Sequence, residues 1–490
     1  MRYRLMTATS AVVLGLMTAG HAAEIDRDGA NAIRDHLNSL LPEDIAKSGV
    51  VAVNPAGARY EIIYDLAKLL SKVNPADLAI NGLKPISMFA TPQDNGLWNV
   101  EGDNSLNVSG HFKGPDQKRT DFTYSIASMV YTSVFDPAIS YFRTGDFSAK
   151  DIKVTTATDT EQVNASFGGM NYKLTSADGA SADRTDFAAN GTLTAFAEQV
   201  SGKEMPPLQI TADTIDFDAK VNSLPAKQLR DIVVFAVDHA EEKQMSKESE
   251  EKLKGMLRDA FPLISSLEET ITLNNLAVTS AAGGGGAKSF GYRLAVNGPS
   301  NATQLGVALN AADVTFDSPM VPAAYSAFLP QAVDVQFAIP DMDFAAFGDE
   351  FMKLDLTKPP EGGEEDAGKK AVERLFRDGR FVIDFSKVSA KSGVYDIDIS
   401  AKVESRIDAG KDDYALQASI LARDYDKTIA AVQELAKTNP ELNQASFGML
   451  MVKGFAKTDP DGRQRWDVTV SPDGTVTVNG QQLKGPDKQE

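Results

Sequence analysis

Tyr414-Ala-Leu-Gln-Ala-Ser-Ile-Leu421 alternates in the manner of a half-buried strand, and Asp424-Tyr425-Asp426 interrupts it. Lys427 to Lys437 then places Ile429, Val432, Leu435 and Ala436 along one helical stripe, which Asn439-Pro440 stops. A strand runs into an aspartate, and the aspartate starts a short helix. Asp426 is the expected cap, because a carboxylate accepts the orphan amide hydrogens of a first helical turn and complements the dipole there.

Looser copies of this unit recur. Arg59 to Tyr64 runs into Asp65, with Leu66, Leu69 and Leu70 behind it. Asp341-Met-Asp343 precedes Phe344, Phe347 and Phe351 at helical spacing, and a less regular version lies near residue 222. The spacings are unequal, so there is no strict solenoid period. Ala30 to Leu41 reads as a helix, with Ile33, Leu37 and Leu40 on one face.

Strand signals fill the stretches between: Leu97–Val100, Ser105–Phe112, Thr120–Ala127, Ile152–Thr156, Asn171–Ser176 and Ala188–Leu193. Gly102-Asp-Asn104 and Gly114-Pro-Asp116 read as turns, and Thr194–Val200 as a helix with Phe196 and Val200 inward. Beyond Pro225, Leu229, Ile232, Val233, Ala236 and Val237 form one amphipathic stripe. Leu253, Met256, Leu257, Ala260 and Phe261 form a second, across a charged junction at Glu241–Lys252. Gly283–Gly286 reads as a loop and Lys358–Lys370 as a mobile acidic one. Arg380–Ser386, Val394–Glu404, Gly448–Lys457, Trp466–Val470 and Thr475–Val478 complete the strands.

The expected fold class is therefore α+β: a mostly antiparallel, curved β-sheet meander with short helices between strand groups. The expected organisation is a signal peptide over 1–22, an N-terminal β-rich region over 23–205 and a C-terminal β-rich region over 206–483. A helical insert at 223–262 and a disordered tail at 484–490 complete it.

The compartment comes from the first residues. Met1-Arg-Tyr-Arg4 is a positive start, Leu5 to Met17 is a short, mostly apolar run, and Gly20-His-Ala22 offers small residues at −3 and −1. This is the pattern of a secretory signal peptide, with cleavage expected after Ala22. The apolar run is too short for a retained anchor, and no later stretch is long enough to span a bilayer. The mature chain is expected to be soluble and periplasmic.

Of 490 residues, 42% are hydrophobic and 24% charged, which fits a folded chain, and the net charge is −19. Such a charge repels phosphate backbones, so nucleic acid is not an expected partner. The absence of cysteine excludes disulfides, thiolate metal sites and cysteine nucleophiles.

Catalytic and ligand motifs find little support. His36, His111 and His239 are scattered, without metal-ligand spacing, and there is no Gly-x-Ser-x-Gly elbow. Gly283-Gly-Gly-Gly-Ala-Lys-Ser289 has Ala287 where a phosphate loop needs its last glycine. Asp459-Pro-Asp-Gly-Arg-Gln-Arg-Trp-Asp467 lacks the closing glutamate of a calcium loop and reads as a turn. Asp396 and Asp398 sit on the solvated face of a strand, and Phe344, Phe347, Phe351, Leu253, Met256 and Phe261 read as core. No residue is assigned a catalytic, cofactor-binding or metal role, and no cofactor is expected.

The leader, the strand–Asp–helix units and the ending Trp466-Asp-Val-Thr-Val470 with Gly474-Thr-Val-Thr-Val-Asn-Gly480 resemble exported proteobacterial families known only as domains of unknown function. More distantly, they are similar to AsmA-like envelope proteins. That resemblance implies long curved β-sheets and a part in outer-membrane lipid homeostasis. This chain departs from the AsmA-like pattern in having no retained N-terminal membrane helix, which argues against an inner-membrane bridging role. The expected function is a non-enzymatic cell-envelope protein, a scaffold or a binder of lipid or of another envelope protein. The competing expectation is an envelope hydrolase using carboxylates that no motif reveals.

Overall fold

The computed structural model describes residues 25–486, apart from 40, 42, 71–72, 115–116, 204, 240–243, 356, 358–370 and 407–413. The expected signal peptide, the acidic loop at 358–370 and residues 487–490 of the expected tail lie outside the described residues. The chain forms two compact units: Met1–Ser266 with Asp355–Glu361, and Leu267–Leu354 with Gly362–Glu490.

The first unit opens with α1 (Arg27–Ser39), α2 (Glu43–Ala46), β1 (Val51–Pro55), β2 (Tyr60–Tyr64), α3 (Leu66–Leu70), β3 (Leu78–Asn81) and β4 (Ile86–Pro92). Six long strands follow: β5 (Trp98–Lys113), β6 (Arg119–Asp136), β7 (Tyr141–Ala157), β8 (Glu161–Asp178), β9 (Thr185–Gly202) and β10 (Leu208–Leu224). Helices α4 (Ala226–Asp238) and α5 (Lys247–Ala260) come next. Each long strand pairs antiparallel with the next. Helix α1 buries Ile33 and Leu37 of the expected stripe, together with Ala30, against a cluster that includes Tyr60, Ile62, Trp98, Val100 and Phe135, while Leu40 lies outside the described residues.

The second unit contains β11 (Ser266–Ser280), β12 (Gly283–Asn297), β13 (Thr303–Ala312), β14 (Thr315–Asp317), β15 (Ala332–Met342), α6 (Phe344–Phe351), β16 (Arg380–Lys391), β17 (Asp396–Arg406) and β18 (Tyr414–Arg423). It continues through α7 (Tyr425–Ala436), α8 (Leu442–Gly454), β19 (Lys457–Thr458), β20 (Gln464–Val470), β21 (Val476–Val478) and β22 (Gln481–Lys484). Its ladder runs β12, β13, β15, β16, β17, β18, β20, β21, β22, antiparallel throughout.

Strands account for 54% of the residues and helices for 21%, and the helices are few and short. The α+β expectation is thereby corrected: the protein is mainly antiparallel β. A shared feature of the long strands accounts for one expected helix that is strand instead. At mid-strand the alternation slips by one residue. Ile126 and Met129 on β6, Ala149 and Ile152 on β7, and Phe167 and Met170 on β8 all join one cluster although they lie three residues apart. Leu193 pairs with Met170 and Ile215, while Phe196 stacks on Phe167 and pairs with Ala212, so β9 and β10 slip in the same way. The residues that the ladders skip, Ala127, Asp151, Gly168, Ala195 and Asp213, lie side by side across the sheet. Asp151 and Ala195 are left-handed there, with φ of 51° and 52°. Five strands thus break their alternation along one line without a shift in their mutual register, a shared crease in the sheet.

The crease mimics other structures in sequence. Leu193, Phe196 and Val200 are spaced three and four apart, which is the helical period, yet the expected helix at Thr194–Val200 is the second half of β9. Thr120–Ala127 and Ile152–Thr156 each stop or start at the slip, although β6 and β7 run on past it. Gly102-Asp-Asn104 is strand, not turn. Gly283–Gly286 is likewise the start of β12 rather than a loop, because neighbours crowd it from two sides. A Cβ on Gly284 would lie 2.6 Å from the Val278 carbonyl oxygen, and one on Gly285 would lie 2.6 Å from that of Thr315. Gly448–Lys457, expected as a strand, is mostly the second half of α8. A continuous apolar run such as Met449-Leu-Met-Val452 does not distinguish the two.

The strand–Asp–helix unit works partly through the backbone. The residue preceding α7 is Asp424, not Asp426, and it turns the chain with φ 50° and ψ 41° and no side-chain cap. Ser223 and Asp341, just before α4 and α6, are also left-handed. Asp343 is a true cap, its carboxylate accepting from the Ala346 amide at 2.9 Å. Asp426 lies in the first turn of α7 and pairs with Lys453 at the surface.

Asp343→Ala is expected to cost about 0.5–2 kcal/mol, and Asp426→Ala less than about 1 kcal/mol, both read by urea unfolding. In the same assay Ala195→Val is expected to cost at least about 1–2 kcal/mol, whereas Ala195→Gly relieves the left-handed strain and should not.

Candidate functional site

Cross-strand partners point to the same side of a sheet, so the register defines two faces on β5–β10. One row of the first face holds Gly102, Tyr131, Phe147, Tyr172, Gly191 and Phe217. The next holds Asn104, Met129, Ala149, Met170, Leu193 and Ile215. Beyond the crease come Leu106, Ile126, Ile152, Phe167, Phe196 and Ala212. The second face carries Lys150, Lys153, Asn171, Lys173, Thr192, Asp216 and Asp218. One side is apolar and the other is charged.

Two glycines make room on the apolar face. A Cβ on Gly102 would strike the Tyr131 ring, and one on Gly191 would strike the Phe217 ring. The rings lie across the bare backbone, and Tyr172 stacks on Phe217 at 5.8 Å. At the crease Ile126, Ala149 and Ile152 are only 7%, 3% and 7% exposed, in a cluster whose members all come from β5–β8.

Helix α4 lies over one end of this face and forms with it a half-open cavity of about 390 Å³. Tyr141, Tyr172, Leu174, Phe187, Ala189 and Val221 line it from the strands, and Leu229, Arg230 and Val233 from the helix. Its volume falls in the range of small-molecule sites, roughly 300–1,000 Å³. Tyr141 meets Phe187 edge-on at 5.0 Å.

Among the described residues Arg230 is the one charged residue in the lining. Its guanidinium donates to the Asp231 carboxylate, at 3.0 Å from Nε and 2.6 Å from Nη2, and to the Ser140 hydroxyl. His36, in the last turn of α1, feels that cation. Burial, followed by the charge of Arg230, holds its pKa below the usual histidine value. Burial pushes the Tyr131 phenol up to about 12, so it stays protonated and neutral at any ordinary pH.

The residues weighed from sequence lie elsewhere. His111 makes a 3.1 Å hydrogen bond with the Pro75 carbonyl, and His239 stacks on Phe235. Asp396 lies near Lys391 and Arg423, and Asp398 near Arg463. Asp459–Asp467 forms the turn into β20, with Asp461 and Asp467 held by Arg463 and Arg465. Phe344, Phe347 and Phe351 lie on α6 and Leu253 and Met256 on α5, and none of them lines the cavity. Among the described residues no cluster of His, Asp or Glu could hold a metal ion. Among the same residues no helix is long and apolar enough to cross a membrane.

The apolar face was missed from sequence, although its signal is present: apolar residues at two-residue spacing on each side of a three-residue step, repeated in five strands. No family model matches the chain, and neither the curated proteins nor the solved structures hold a match to it.

Protonation of His36 is disfavoured in the folded state, so its contribution to stability is full above about pH 6.5. It is lost as the pH falls from there through the depressed folded value. The melting temperature is expected to drop between pH 7 and pH 5, and His36→Gln should flatten that slope.

Proposed function

We propose that the protein is a non-enzymatic component of the bacterial cell envelope, exported to the periplasm, that holds the acyl chains of lipid on the apolar face of β5–β10. The observation that carries this reading is the face itself. Six neighbouring strands of 16 to 18 residues present apolar rows to one side, and one end is roofed by α4 over a cavity. An acyl chain suits the face, because the rows offer dispersion contacts and little hydrogen bonding. The cavity lining presents no carboxylate, so the hydrolase alternative draws no support from it. The resemblance of the sequence to AsmA-like envelope proteins points the same way.

Native mass spectrometry of the protein purified from its own envelope tests the proposal. Co-purifying lipid is expected, and Leu174→Glu, which sets a charge in the cavity wall, should reduce it roughly tenfold or more. A clean apo mass for the wild-type protein would sink the reading.

A further inference from the structure

We infer that α8 is a membrane-surface anchor that lies in the plane of a lipid leaflet with zwitterionic headgroups. From Leu442 to Val452 this helix has no ionisable side chain. Phe447, Leu450 and Met451, at i, i+3 and i+4, are 64%, 47% and 55% exposed, and Val452 beside them is 47% exposed. Such a stripe on a helix is normally turned inward. Here the inward side is already occupied: Ser446 is buried, the Trp466 indole donates to the Val452 carbonyl at 2.8 Å, and the Tyr425 hydroxyl donates to that of Met449 at 3.4 Å. Lys453 pairs with Asp426 of α7 and closes the far end. The helix is fixed in place with its apolar stripe outward.

Area and charge choose the occupant. Four side chains amount to an apolar patch on the order of a few hundred Å², short of the roughly 800 Å² that each partner of a stable protein–protein interface buries. A second copy or a protein partner would therefore hold weakly. A lipid leaflet needs no such area, because each large apolar side chain that leaves water strengthens partitioning roughly tenfold or more. With 13 residues the helix is too short to cross a bilayer and would lie along it. The chain's net charge of −19, with no cation on the stripe, directs it away from anionic headgroups.

The inference stands apart from the acyl-chain reading and can fail or succeed without it. The test is flotation of the mature protein with phosphatidylcholine vesicles. Wild-type protein is expected to float with them, and Phe447→Ser combined with Met451→Ser should lower the bound fraction roughly tenfold or more. Phe316→Ser, at an unrelated exposed position on β14, should leave it unchanged. Brominated phosphatidylcholine provides a second readout, since the Trp466 indole donates to the α8 backbone and its fluorescence should be quenched in the wild-type protein and much less in the double variant. Any of four results overturns the inference: wild-type protein left in solution, a double variant that floats normally, equal loss in Phe316→Ser, or a wild-type dimer that the double variant dissociates.

Discussion

The register between the long strands β5 to β10 is the interaction on which the first unit depends. In an antiparallel ladder a shift of one residue moves every side chain to the other face. Strands of 16 to 18 residues, apolar on one side and charged on the other, therefore have one acceptable pairing. The crease is compatible with this only because it is shared. Each of β6 to β10 steps by one residue at the same line, so the faces stay in phase on both sides of it.

The ends of the apolar rows are closed by different means. At one end α1 and the short strands β1, β2 and β4 contribute to a conventional core in which Ile62, Ala90 and Phe135 are fully buried. At another α4 forms a roof that leaves a void. In the second unit α7 and the end of α8 close the sheet over Trp466 and Ala422. Helices here finish sheets instead of forming a layer, which is why a modest helical content coexists with a mainly β architecture.

Much of this could be read from the residues, and several of the failures lie at the crease. Where period-two alternation is unbroken, as in Asp396–Arg406, sequence and structure coincide. Helices with clear stripes, such as those holding Leu229 to Val234 and Leu253 to Leu257, also lie where expected. The errors cluster at the crease, where a strand with a three-residue step reads as two short strands or as a helix, and at Met449–Val452, where no period exists. A local pattern cannot show that five distant strands make the same slip. That is a property of the assembled sheet, and the apolar face became visible only with the register. Likewise, the left-handed turn at Asp424 depends on backbone geometry that the identity of an aspartate only permits.

The order of the long strands also bears on how the chain folds. Each of β5 to β9 pairs with the strand that follows it, so each of these ladders closes over a short connection and none waits for a distant segment. Loop-closure entropy is then met in small steps, and the sheet can grow one strand at a time from the amino-terminal side. Until the next strand arrives, the growing edge is a bare row of amides and carbonyls, and during assembly this is the surface on which a second chain could add in error.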